Sequence, residues 1–337
     1  MYRYGNGQIS LSDFQQPMGM CLREDNRWVK KAQLLPWCKI EAKYAGLFPS
    51  ATGNVAKPLQ LALGARLIQR EYGYSDEEIV LQIQENPYLQ YFCGYAGYDD
   101  SKPPFDPSSM VHFQKRLTPE ILAEINEMVI QVAEKKDDQN NNSGGGGNSG
   151  TMIVDATCAP SNIRYPQDVS LLEFGMKLDI SISNGWTRLE YHSFDAYNKA
   201  TKLQEMIENF HRCEGHYPSR VLVDKIYRNR ENLRYCKERG IRLSGPALGR
   251  PKKDEERNKV QDYQDECERV EVERKFSLGK RKCGMGLVTA KPEDTATHVV
   301  ALSVLLLNLR KIQYAFLQFL DWLLGFLQPC EKLRVVQ

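Results

Sequence analysis

Three acidic residues sit where their surroundings could make a carboxylate chemically useful. Two aliphatic runs end alike, "MIVD" at Asp155 and "VLVD" at Asp224. Such a run predicts a buried strand, with the acid at its carboxyl edge, where open α/β sheets place their sites. An aspartate there also serves as a simple turn cap. The third acid lies in "ECERVEVERKFSLGKRKCGMGL" (Glu266–Leu287), which offers Glu271 and Glu273. This stretch has no breaker before Gly279 and reads as a helix. With about 100° per residue, Val270 and Phe276 flank Glu273 at about +60° and −60°. Arg269 falls at about −40° and Lys280, if the helix passes through Gly279, at about −20°. Glu271 falls at about 160°, paired i,i+4 with Lys275 on the other face. Glu273 is therefore expected to face inward and Glu271 to be a solvated charge. An inward carboxylate needs a partner or a metal. Arg269 alone could be that partner.

Carboxylates from two strands and a helix suit hard divalent ions. Oxygen ligands favour Mg²⁺ over zinc or copper, with Mn²⁺ as a substitute. The expected metal ligands are Asp155, Asp224 and Glu273. Two ions about 4 Å apart activate an attacking oxygen and stabilise a leaving one in phosphoryl transfer. The basic groups "LGRPKK" (Arg250, Lys252, Lys253) and "KRK" (Lys280, Arg281, Lys282) suit a nucleic-acid backbone. His112, His192, His211, His216 and His298 show no metal spacing.

These acids must be positioned by an α/β region. From Thr151 the chain alternates: "TMIVDAT", then a hairpin in "FGMKLDISISNGWTRLEYHSF" turning at Asn184-Gly185, then the helix "ATKLQEMIENFHRCEG". The strand "SRVLVDKIY", the helix "RNRENLRYCKERG" and the short strand "IRLSG" follow. The order strand, hairpin, helix, strand, helix, strand, helix predicts a mixed sheet. Upstream, residues 1–137 read as helical, including "KPLQLALGARLIQREYG", "SDEEIVLQIQENPYLQYFCG" and two helices near Pro107 and Pro119. Arg66, Arg70, Lys115 and Arg116 there could contact DNA or be ordinary helix surface. Between the two parts, 138–150 is an Asn/Ser/Gly tether. The expected division is thus 1–137, 138–150, 151–310 and an apolar C-terminal helix over 311–337.

With 337 residues, 42% hydrophobic and 26% charged, the composition is that of a globular protein, and the net charge of +2 says little about partners. Nine scattered cysteines without a CxxC pair argue against a zinc site or a disulfide scaffold and fit a reducing cytoplasm. The N-terminus shows no apolar signal segment. "HVVALSVLLLNLRKIQYAFLQFLDWLLGFLQ" is apolar, but Asn308, Arg310, Lys311 and Asp321 interrupt it, so buried or self-associating helices are expected rather than a membrane span.

The chain resembles the DDE transposases of bacterial insertion sequences, in the broad family conventionally numbered five. The resemblance covers nearly the whole length. It rests on "MIVDATCAPSNIRYPQD", "YPSRVLVDKIYRNRENLRYCKERGIRLSGPALGRPKK", "RVEVERKFSLGKRKCGMGL" and "LNLRK". The related signature Tyr-x2-Arg-x3-Glu-x6-Lys is matched by Arg269, Glu273 and Lys280, with Glu266 at its tyrosine position. The resemblance implies a ribonuclease H-like catalytic core after a small all-helical, DNA-end-binding domain. It also implies Mg²⁺-dependent cleavage and strand transfer on double-stranded DNA, and a homodimer in the DNA complex. Similar transposases carry a long basic segment where "YPQDVSLL" (Tyr165–Leu172) here runs straight into "EFGMKLDIS". A ribonuclease H-like nuclease or resolvase, and a DNA-binding remnant without catalysis, are the alternatives.

Overall fold

The computed structural model describes residues 1–5, 7–16, 20–49, 52–138, 148–160, 175–245, 259–288 and 293–327. Most of the tether, the segment 161–174 and the basic group at Arg250, Lys252 and Lys253 lie outside these residues.

The helical part opens with α1 (Arg27–Leu34) and α2 (Trp37–Ala45), followed by α3 (Leu59–Tyr72). The α3 helix stops at Gly73, whose φ of 74° suits a residue without Cβ. Ser75 starts α4 (Asp76–Glu85) by accepting the Glu78 amide. Asn86 and Pro87 break the chain and start α5 (Pro87–Phe92). Next come α6 (Ser109–Arg116) and α7 (Pro119–Asp138).

A five-stranded sheet follows, in the order β3-β2-β1-β4-β5. Its strands are β1 (Thr151–Pro160), β2 (Gly175–Ser183), β3 (Trp186–Ser193), β4 (Arg220–Leu222) and β5 (Arg242–Leu243). The first three are antiparallel neighbours, while β1–β4 and β4–β5 are parallel. Asn184 and Gly185, at φ 51° and 74°, make the expected tight turn between β2 and β3. The strand after the first acid differs from expectation: β1 continues to Pro160, since β2 pairs with it past Asp155, whereas pairing with β4 covers only 151–153.

The sheet is covered on both faces. Met152, Val154, Val221 and Val223 pack against Leu203, Met206, Ile207 and Phe210 of α8 (Leu203–Glu214) and Cys236 of α9 (Arg230–Glu238). On the opposite face Ile153, Ile180, Ile182 and Leu222 receive Val272 and Phe276 of α10 (Lys259–Lys282). The α10 helix passes through Gly279 without breaking; a Cβ there would sit 2.6 Å from Met285 Sδ, so glycine permits this close approach.

The last helix, α11, runs without interruption over Glu293–Leu327, so the expected boundary at 310/311 falls inside it. It packs on α7, α3, α1, β3 and α10. Over Glu293–Gln313 it is long and apolar enough to cross a membrane, but this stretch is mostly buried in the protein core. Among the described side chains, its polar interruptions Asn308, Arg310 and Lys311 have partners. Asn308 receives the Thr187 amide at 2.9 Å and donates to the Asn126 side chain and the Thr187 carbonyl, each at 2.8 Å. Arg310 bonds Glu71 at 3.0 Å, beside the buried Lys31–Glu71 pair, and Lys311 lies 3.7 Å over the Trp186 ring. Up to Gln313 the expectation of a buried helix is met, and these three interruptions are contacts that dock it.

His298 of α11 is also buried, with Nδ1 positioned to donate to the Leu117 carbonyl at 2.7 Å. Burial first, and then the charges of Arg66 and Arg70, push its pKa down from the usual 6.5 to about 3. The unfolded imidazole therefore binds a proton that the folded one refuses. Stability is complete above about pH 6.5 and falls as the pH drops toward 3. In urea titrations His298→Gln should show a shallower loss of stability between pH 6.5 and 4 than the parent. An identical slope would remove His298 from this account.

Candidate functional site

Asp155 and Asp224 are brought together by strand pairing. Ile153 is paired in parallel with Leu222, the last residue of β4; Asp155 lies two residues on along β1, and Asp224 lies two residues beyond the end of β4, close enough for its charge to act on Asp155. Asp224 is exposed and its Oδ1 accepts the Lys225 amide at 2.6 Å, capping the short turn Lys225–Tyr227. Turn capping and placement beside Asp155 are thus compatible, because the cap uses one oxygen.

Asp155 is more enclosed, with its side chain 20% exposed. Its Oδ1 accepts the Ala156 amide at 2.8 Å, and its Oδ2 lies 3.6 Å from Arg269 Nη1. Burial raises its pKa; the Ala156 amide, Arg269 and Lys199 oppose that rise, and the charge of Asp224 adds to it.

Glu273 corrects the expected helix face. Its side chain is 57% exposed, whereas Glu271 is half-buried. The buried stripe of α10 contains Asp265, Val272 and Phe276, which places Glu273 at the rim of that stripe rather than at its centre. Glu271 is enclosed by a feature the helix alone does not reveal, the β2–β3 turn. Its Oε1 would lie 3.4 Å from a Cβ at Gly185, and Lys275 donates to the Gly185 carbonyl at 2.9 Å. Burial lowers the Lys275 pKa and the charge of Glu271 opposes the change, while the Lys275 ammonium itself is bonded to the Gly185 carbonyl.

Arg269 joins the acids. Its Nη2 lies 3.8 Å from Glu273 Oε1, while its Nη1 faces Asp155. One guanidinium thus serves a strand acid and the helix acid together. Further along α10, Lys280 donates to Thr157 Oγ1 at 3.1 Å, beside the same strand. Arg281 and Lys282 are exposed.

The helical-part arginines behave differently. Arg66 is 8% exposed, and Arg70 bonds the Gly284 carbonyl and Ser303 Oγ. Burial lowers both pKa values to about 10, and both side chains are structural. Lys115 is exposed, and Arg116 stacks on Phe48 with its guanidinium carbon 5.0 Å from the ring centroid.

Asp179 was not singled out from the sequence. It is fully buried on β2, paired with Ala156, and accepts from Tyr227 at 3.4 Å. Burial pushes its pKa up to about 6, opposed by Tyr197, Lys199 and Tyr227, with Asp155 adding to the rise. Its partner Tyr227 belongs to the α8–α9 core, on the face away from Asp155. An acid inside "MKLDISIS", buried on both faces, was the available signal.

The carboxylate pair Asp155–Asp224 offers the hard oxygen donors that a divalent ion requires, and a metal would relieve their mutual repulsion. Glu273 is held on Arg269, and among the described residues no three His, Cys, Asp or Glu side chains form a ready-made metal cluster. The donor chemistry fits a divalent ion at the two aspartates, with Glu273 as a third ligand only if Arg269 yields.

Comparison with known proteins gives the class. Residues 221–310 match the family described as "Transposase DDE domain", and residues 18–116 match "Transposase domain (DUF772)". A Rhizobium meliloti protein described as "Uncharacterized protein ORF8 in nfe locus" is 28% identical over 169 residues, which are 48% of this chain and 78% of that protein. Both matched stretches are thus similar to transposase domains, one to a DDE domain and one to the domain over 18–116.

The Arg269 contact has a direct consequence. Its charge lowers the Asp155 pKa, so Arg269→Ala should move the Asp155 titration upward, followed by carboxyl ¹³C NMR. An unmoved or lowered titration would show that the contact is not made.

Proposed function

We propose that the protein is a transposase that cuts DNA at the ends of its element and joins those ends to a target, using Asp155, Asp224 and Glu273 as metal ligands. The observation that carries the reading is that Asp155 on β1 and Asp224 just beyond the neighbouring β4 lie near each other, with Arg269 of α10 bridging Asp155 and Glu273. Three antiparallel strands continued by two parallel ones, with helices on both faces, support a ribonuclease H-like core.

Mg²⁺, or Mn²⁺ in its place, would supply Lewis-acid stabilisation of the transferring phosphoryl group and a more acidic water or 3′-hydroxyl. Asp155 and Asp224 would provide its oxygen ligands. Arg269 balances Asp155 and Glu273 before metal arrives and is placed to hold a backbone phosphate afterwards. Lys280, anchored on Thr157, and the exposed Arg281 and Lys282 would grip the backbone without reading sequence. Arg250, Lys252 and Lys253 would extend that grip.

The helical part, 1–137, would recognise the element ends through groups other than Arg66 and Arg70, with 138–150 as its tether and 151–310 as the catalytic region. The 311–327 stretch would act as a continuation of the core part of α11. A homodimer engaging two ends, in the cytoplasm at the nucleoid, completes the reading. A nuclease that cuts without joining would use the same acids; strand transfer from a pre-cleaved end distinguishes the two.

Glu273→Gln keeps size and hydrogen bonding but loses the charge that helps hold a divalent ion. It should lower Mg²⁺-dependent cleavage about a thousandfold, with DNA binding retained. Glu271→Gln should leave cleavage within about threefold, its cost being the weakened pairing with Lys275. Mn²⁺ binding by calorimetry provides a second readout. Inactivity of Glu271→Gln with full activity of Glu273→Gln would overturn the assignment.

A further inference from the structure

An ion-pair network centred on one buried acid, at the opposite end of the sheet, connects to this site through α10. Arg242, which begins β5, donates to both oxygens of Asp265, at 2.6 and 2.7 Å. Arg220, which begins β4, reaches three partners: Thr151 Oγ1 at 2.5 Å, Asp265 at 3.4 Å and Glu268 at 2.6 Å. One network therefore ties the first residues of β1, β4 and β5 to the early turns of α10. Asp265 is its centre, with only 7% of its side chain exposed, although it lies in a helix rich in solvated charges.

The spacing gives this network a use. From Asp265 to Glu273 is eight residues, or about 12 Å of helix rise. From Thr151 to Asp155 is four residues, or about 13 Å of strand rise. Helix and strand run in the same direction, since Asp265 lies at the strand starts, Arg269 beside Asp155 and Lys280 at Thr157. Fixing α10 at Asp265 therefore sets where Arg269 and Glu273 arrive over the acid pair. Val272 and Phe276 hold the helix onto the sheet, but apolar contact is non-directional and tolerates sliding. The two-toothed Arg242–Asp265 contact does not.

We propose that Asp265, held by Arg242 and Arg220, is a positioning residue that sets the register of α10 along the sheet and so the reach of Arg269 and Glu273 to Asp155. This rests on the catalytic reading above. Leaving a buried partner unpaired also costs stability, so the test separates positioning from folding.

The test uses full-length Asp265→Asn, Asp265→Glu and Arg242→Lys in Mg²⁺-dependent cleavage, with kcat and KM for end DNA, melting temperature and an experimental structure of each. Asp265→Asn should lose about tenfold in kcat with KM unchanged, because sub-ångström to 1 Å displacement of reacting groups is costly. Asp265→Glu, which keeps the charge, should stay within about threefold of the parent. Should Asp265→Asn not fold, Arg242→Lys carries the test, since it keeps the charge but loses the two-toothed contact; a fivefold or larger fall in kcat is expected. Unchanged kcat in a folded but less stable variant would overturn the proposal, as would equal losses in kcat for Asp265→Glu and Asp265→Asn. A parent without cleavage would overturn the catalytic reading alone. The structures then decide the positioning claim: Arg269 still 3.6 Å from Asp155 in the variants contradicts it, and a displaced Arg269 supports it.

Discussion

Val272 and Phe276 cannot leave the sheet face made by Ile153, Ile180, Ile182 and Leu222 without exposing apolar surface on both partners. Burying two such side chains is worth about 1.5–3 kcal/mol each. That burial lays α10 across β1 and β4 and forces its charged neighbours to the rim of the contact. Arg269 then meets Asp155, with Glu273 held on it, because both flank the buried stripe. The site is thus an edge effect of hydrophobic packing: charges adjoin a dry seam where their interactions are less screened than in open water.

The rest of the molecule reinforces this geometry. Glycine at 279 allows α10 to approach Met285 and Leu307, and α11 in turn docks on β3 through Asn308. Arg70 reaches from α3 to the Gly284 carbonyl, just beyond the end of α10. The helical part and the sheet consequently share buried neighbours: one apolar cluster contains residues of α3, α7 and α11 together with Ala159, Met176 and Leu178 of the sheet. Helical and sheet regions are joined in space although the tether separates them in sequence.

The succession of strands and helices was legible because each strand carried a local signature: β-branched runs, the Asn184-Gly185 turn and glycine stops. Two similar runs, each closing on an acid, pointed to neighbouring strands, and β1 and β4 are neighbours. The face of α10 was not legible. Its sequence is charged nearly all round, so the buried stripe could be centred on Glu273 as easily as on Val272. What decides it is Asp265, which looks like a surface acid until Arg220 and Arg242 are seen across from it. Asp179 escaped for a similar reason, since its tyrosine partner lies far away in sequence. Arg66 and Arg70 looked available to DNA because helix periodicity does not show which charges have buried partners.

The proposed metal site joins Asp155 and Asp224 next to Arg269. The most direct measurement is the anomalous scattering of Mn²⁺ in crystals of the full-length protein. The account predicts a peak bonded to carboxylate oxygens of both Asp155 and Asp224, with Arg269 drawn away from Asp155 beyond its present 3.6 Å. Mn²⁺ bound elsewhere, with Arg269 still paired to Asp155, would contradict it.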